Sequence, residues 1–182
     1  MATASKVLKF SGATAKRGIA LLVLILLTIR ISLAADPSSL GPKIVEFCKQ
    51  NLGKQVGNGE CSALAFRALK SVGAKTRGGP DAPEKGDYVW GTQVFYVEIT
   101  PKGRQTIGSL TNVQPGDIIQ YRNTKFVTAH FEHHTSVVEE VNPKNLKILQ
   151  QNVNGNRFVI EAILHVDKLS EGWLRIYRPI SE

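Results

Sequence analysis

Apolar residues change their spacing once along this chain, and that change fixes the class of fold. Leu64, Ala65, Ala68, Leu69 and Val72 recur at three- and four-residue intervals, the period of a helix with one buried stripe, and Gly73 ends it. From Tyr88 onward the apolar positions take the two-residue period of strands. The spacing predicts strands over 88–99, 118–122, 134–141, 146–152, 158–165 and 173–177. The turn "QPGD" precedes the second, and "NPKN" separates the third from the fourth. A first helix is predicted over 42–54, where Pro42 suits an opening position, and 74–87 reads as a loop. Helices first and a meandering sheet afterwards make an α+β fold, with the N-terminal helices packed on an antiparallel β-sheet.

The first 34 residues are a different kind of text. Lys6, Lys9, Lys16 and Arg17 form a basic leader, "GIALLVLILLTI" follows from Gly18 to Ile29, and Ser32-Leu33-Ala34 offers small residues for cleavage. That layout is a signal peptide over 1–34, followed by a linker over 35–41 and a domain over 42–182. The expected location is secreted, periplasmic or in the cell envelope. The apolar run is short for a bilayer, and Arg30 ends it. Membrane attachment therefore follows only if the leader is retained. The leader carries five of the 23 basic residues and none of the 15 acidic ones, so the remaining chain falls to +3. With no basic block left, nucleic acid is excluded as a partner, and a monomer is expected.

Three segments hold polar groups that an apolar core does not request. They are the glycine-rich "GKQVGNGEC" ending at Cys61, "HFEHHTSVVEEV" over 130–141, and "ILQQNVNG" over 148–155. A cysteine in the first turn of a helix meets free N–H groups and positive dipole charge, which lower a thiol's pKa. A thiol nucleophile also needs a base within reach and an acceptor to orient that base. His134 opens one strand, while Gln150 and Asn152 lie two apart on its hairpin partner and so share a face. Cys61, His134, Gln150 and Asn152 are thus the candidate catalytic set, with a buried structural role for Cys61 as the alternative. His133 and His134 point to opposite faces, and His134 is favoured because it directly precedes "TSVV". Cys48 sits on an apolar stripe with Ile44 and Leu52, as a small buried hydrophobe does. A disulfide between Cys48 and Cys61 would remove the nucleophile. His130, Glu132, His133 and His134 fit no zinc-binding spacing, so neither metal nor cofactor is expected. Tyr88 and Trp90 are candidates for a cleft wall, with burial in the core as the alternative.

The segments "GNGECSALAFRAL", "QPGDIIQY", "HHTSVVEEV" and "ILQQNVNG" together resemble the CHAP and NlpC-type branch of the papain-like cysteine peptidase superfamily. The nearest subgroup is the cysteine-protease-like module of fungal actin-patch proteins and plant hydroxyproline-rich glycoprotein-like proteins. The resemblance implies Cys61 as nucleophile, His134 as base and Asn152 as the asparagine of an "E-x-N" pattern. Gln150 stands where that pattern has its acid, and Ser62 where an aromatic commonly follows the cysteine. Gln55 lies six residues before Cys61, where papain-like peptidases place an oxyanion-hole glutamine. The implied activity is a cysteine amidase or endopeptidase hydrolysing an amide bond in a peptide or in peptidoglycan. The substituted acid keeps a catalytically inactive module that binds a peptide or glycan as the alternative.

Overall fold

A computed structural model describes residues 40–76 and 87–182, so the leader and most of the linker lie outside the described residues. Two helices come first, α1 over Leu40–Gln50 and α2 over Cys61–Ser71. Seven strands follow: β1 Thr92–Thr100, β2 Gly103–Gly108, β3 Ile118–Lys125, β4 His130–Asn142, β5 Asn145–Gln150, β6 Ile160–Leu164 and β7 Glu171–Arg178. They form one antiparallel sheet in the order β2-β1-β7-β3-β4-β5-β6. The helices pack on β4 and β5. The α+β class read from the sequence is the class observed.

Both faces of the sheet are apolar. Ile118, Val137, Leu149 and Tyr177 meet Ile44, Cys48, Leu64, Ala65, Ala68 and Leu69 of the helices. On the other face Ile119, Tyr121, Val138, Ile148 and Leu174 form a second cluster with Phe95, Val97 and Leu164. The doublets Ile118-Ile119, Val137-Val138 and Ile148-Leu149 therefore serve two cores from adjacent positions, because neighbouring strand residues face opposite ways.

Three expected boundaries move and one strand is added. Helix α1 stops at Gln50, and Gly53 turns the chain with φ 71°. Tyr88 and Trp90 precede the sheet: β1 begins at Thr92, after Gly91 at φ 146°, whose Cβ would strike the Arg178 carbonyl. Strand β2 was not expected, since "GRQTIG" is exposed throughout and holds one large apolar residue, Ile107. The strand expected over 146–152 ends at Gln150, because Asn152 leaves the extended conformation. In the "QPGD" turn, buried Asp117 accepts from Gln114 N (2.8 Å) and from Arg178 Nε (3.1 Å) and Nη2 (2.9 Å), fastening the turn to β7.

Candidate active site

The loop into Cys61 is held by a residue that the sequence reading passed over. Gln151 is fully buried. Its Oε1 accepts from Val56 N (3.1 Å), and its Nε2 donates to the Val56 carbonyl (3.0 Å) and the Glu60 carbonyl (2.7 Å). One amide thus grips both ends of the glycine turn. The turn itself needs Gly57 at φ 60° and Gly59 at φ 83°, and a Cβ on Gly59 would press on Arg157 and on the Gln55 side chain. The available signal was the doubled glutamine in "LQQN", of which alternation selected only Gln150.

Asn152 is not on the strand. Its backbone sits in the left-handed region at φ 63°, which asparagine tolerates better than most residues, and its Nδ2 donates to Glu60 Oε2 (2.8 Å). Of the two residues expected to hold the histidine ring, Asn152 and Gln150, Asn152 is thus the one that does not. It steadies Glu60 instead, which also pairs with Arg157 (3.4 Å).

Cys61 is the first residue of α2, and both cysteines are free thiols. The β4–β5 ladder runs only as far as Val137–Leu149. Beyond that point the chain after Gln150 turns away, and Thr135 is the β4 residue whose main chain and hydroxyl act on the Cys61 thiol. Burial pushes the Cys61 thiol up. Hydrogen bonds from the Thr135 and Ser62 main chain pull it back, the Glu60 charge adds to the rise, and the Thr135 hydroxyl eases it. The net direction is upward, which corrects the expected thiolate: dipole charge at a helix N-terminus does not overcome this burial. Cys48, buried on the apolar stripe, is pushed up to about 12 by burial alone.

His134 is 2% exposed, and its Nε2 lies 2.9 Å from Gln150 Oε1. Because the partner is an amide oxygen, Nε2 carries the hydrogen and Nδ1 the lone pair. The ring stacks on Phe131 (centroids 4.4 Å, planes 13° apart) and lies 5.4 Å from Tyr121. Burial lowers its pKa to about 4, partly offset by the Gln150 bond. His133 takes the other face, with Nδ1 2.8 Å from Arg122 Nη1 and 3.6 Å from Asp87 Oδ1.

The spacing predicts Gln150 and Asn152 on one face of the sheet, with His134 meeting Cys61 from a packed helix. The register divides them. Thr135 and Val137 point toward the helices, where Thr135 Oγ1 donates to Gln120 Oε1 (3.0 Å). His134 and Ser136 point away, with Ser136 Oγ 2.8 Å from the Tyr121 hydroxyl. Cys61 and His134 therefore approach consecutive residues of β4 from its two sides, at the point where β5 has left it. The remaining expected site residues stand elsewhere. Trp90 is 1% exposed and donates from Nε1 to Gln120 (3.0 Å), so it is a core residue rather than a cleft wall. Half-buried Tyr88 packs edge-on against it at 5.3 Å. The exposed Gln55 amide reaches the Gly57 carbonyl at 3.5 Å, so the bond it makes is within its own loop and not at the Cys61 main chain.

The neutral His134 gives stability a pH dependence. An unfolded histidine takes up a proton near pH 6.5, whereas the folded one resists until about pH 4. Its contribution is thus fully present above pH 6.5 and is lost as the pH falls toward 4, about 3 kcal/mol in all. Urea unfolding at pH 7 and pH 4.5 should show this loss in the native chain and a smaller one in His134→Gln. Equal losses would mean that the imidazole is not held neutral.

Comparison with known proteins agrees with this architecture. Residues 30–182 match the family described as the AIM3/BBC1 cysteine proteinase-fold domain. The "Altered inheritance of mitochondria protein 3" of Debaryomyces hansenii is 28% identical over 159 residues, 81% of this chain and 17% of that protein. The chain thus spans about a sixth of that relative's length. Two crystal structures of Ly7917 are similar at 19% and 21% identity, with TM-scores of 0.46 and 0.47. The alignments cover 75% and 76% of this chain and 61% and 62% of theirs. The second is described as containing the hydrolyzing product of MDP.

Proposed function

The chain belongs to the AIM3/BBC1 cysteine proteinase-fold family, a papain-like fold, and on that premise we propose that it is a cysteine hydrolase acting on an amide bond of a peptide. The observation that carries this reading is the His134 Nε2–Gln150 Oε1 bond, with the very next residue, Thr135, acting on the Cys61 thiol. It supplies a base, a group that fixes the tautomer of that base, and a thiol at the start of α2 facing the next residue of the same strand.

With a neutral imidazole and a protonated thiol, the resting pair carries no charge. For turnover the imidazole has to reach the sulfur past the edge of β4 that β5 has left; Nδ1 then takes the thiol proton as the sulfur attacks the substrate carbonyl, and the hydrogen on Nε2 stays there, donated to Gln150 Oε1. The imidazolium then passes its proton to the departing amine. Water, activated by the same Nδ1, adds to the thioester, releasing the acid and restoring the thiol. His133 is engaged elsewhere, its ring against Arg122 Nη1 and Asp87 Oδ1.

The same uncharged pair favours a second reading, a binding module without turnover, and labelling separates the two. Iodoacetamide at pH 7 should modify Cys61 at least about tenfold faster than Cys48, and His134→Ala should remove most of that advantage. A Cys61 rate no greater than that of Cys48, or one indifferent to His134, would leave the binding module as the better account.

Export belongs to the same proposal and rests on the basic and apolar leader. Sequencing the N-terminus of protein recovered outside the producing cells should find residue 35 first. A chain still starting at Met1 would speak for a retained anchor.

A further inference from the structure

A cavity of about 620 Å³ opens on the sheet face away from the helices, within the range of small-ligand sites. Tyr121, Phe131, Ile148, Ala162 and Leu164 supply its apolar wall. Its mouth carries Val127 and Ile163, which are 84% and 53% exposed. Such exposed apolar residues beside a concave apolar surface mark a place where something binds. Among the described residues no carboxylate lines the cavity, and its titratable side chains besides Tyr121 are His130, His165 and Lys168, the last shared with Asp167 at 3.1 Å.

Gln150 lines the cavity too. Its oxygen is committed to His134, so the group it can offer a ligand is the Nε2 amide, two N–H donors beside an aromatic wall. Phe131 covers the imidazole face, so the inner end presents ring, aliphatic carbon and one neutral donor. The polar lining residues Thr128, His130, Asn154, His165 and Lys168 are exposed, the last paired with Asp167, and the Tyr121 hydroxyl is bonded to Ser136, so Gln150 is the buried polar group left to a ligand. An uncharged aromatic group next to a carbonyl matches the buried part of this lining.

We propose that this cavity binds an aromatic side chain of a peptide, with the adjoining main-chain carbonyl accepting from Gln150 Nε2. Binding stands independently of turnover. Only the corollary, that the scissile bond flanks an aromatic residue, rests on the hydrolase reading.

The test uses the full chain carrying Cys61→Ala, titrated with N-acetyl-phenylalanine amide and followed by amide NMR shifts. Saturable shifts should centre on Phe131, Ile148 and Leu164, and N-acetyl-aspartate amide should bind at least about tenfold more weakly. Ala162→Trp, which fills the half-buried wall, should abolish the shifts. Ala162→Leu should weaken binding severalfold should the larger change disturb folding. Equal affinity for the two probes, shifts centred elsewhere, or indifference to both Ala162 variants would overturn the proposal. If the probe binds as expected but wild-type protein fails to cleave peptides containing phenylalanine, the cavity stands and the hydrolase reading falls. Cleavage without cavity shifts would do the opposite, sparing the hydrolase and overturning the cavity's assignment.

Discussion

Gln150→Glu should raise the rate of Cys61 alkylation at pH 6.5 by at least about tenfold. The substitution puts a carboxylate where an amide oxygen now sits 2.9 Å from His134 Nε2. An opposite charge at that range favours the charged imidazolium, by about 1 to 3 pKa units. His134 starts from about 4, held there by burial, so such a shift brings it into the range where it competes for the thiol proton. The thiol gains in turn, because a cation nearby offsets the burial that raises it. Part of the gain is spent on burying the new carboxylate, which is why the expected factor is about ten and not a thousand. His134→Ala in the same background must return the rate to that of the single His134→Ala protein. A rate that does not rise, or a rise that survives loss of the imidazole, would show that His134 and Cys61 are not coupled across β4.

Gln151→Leu should destabilise the protein by about 3 kcal/mol. The leucine keeps most of the volume and removes three hydrogen bonds, leaving Val56 N–H, the Val56 carbonyl and the Glu60 carbonyl without their partner. A buried group left unsatisfied costs about 1–3 kcal/mol, and the valine and glutamate carbonyls can partly recover bonds from water at the loop surface. Asn152→Ala, which removes one half-exposed bond to Glu60, should cost less than about 1 kcal/mol. Urea midpoints at constant slope measure both. A Gln151→Leu loss no larger than that of Asn152→Ala would mean that the glycine turn holds its shape without the clamp.

The two helices and six of the seven strands were legible because their side-chain periods are set by which face is buried, and α2 in particular carries an unbroken stripe. The seventh, β2, was not. Its residues are exposed on both faces, so nothing in "GRQTIG" records its pairing with β1. Within the site, the pairing of His134 with Gln150 followed from the hairpin turn between β4 and β5. Its side of the sheet did not follow, because hydrophobicity that is apolar on both faces leaves a strand's outward direction undetermined. A register shift at Val138/Glu140 further offsets the two strands, and a bulge leaves no local sequence mark. The low pKa expected for Cys61 came from the helix N-terminus and a neighbouring imidazolium. The depth at which that helix end sits depends on contacts between residues more than seventy positions apart.

A sheet apolar on both faces has a weakness that a half-solvated sheet does not. In the latter, slipping one strand by a single residue throws its apolar side chains into water, which forbids the slip. Here Ile118-Ile119 or Val137-Val138, displaced by one, would still find carbon on either side. What such a slip breaks is the short run of polar matches across β3, β4 and β5: Gln120 with Thr135, Tyr121 with Ser136, His134 with Gln150. Those pairs act as alignment pins, and misaligned chains lose all three at once. The side chains around the thiol thus carry a duty in selecting one alignment over its neighbours. Selection on folding would retain them even in a lineage where no bond is cut.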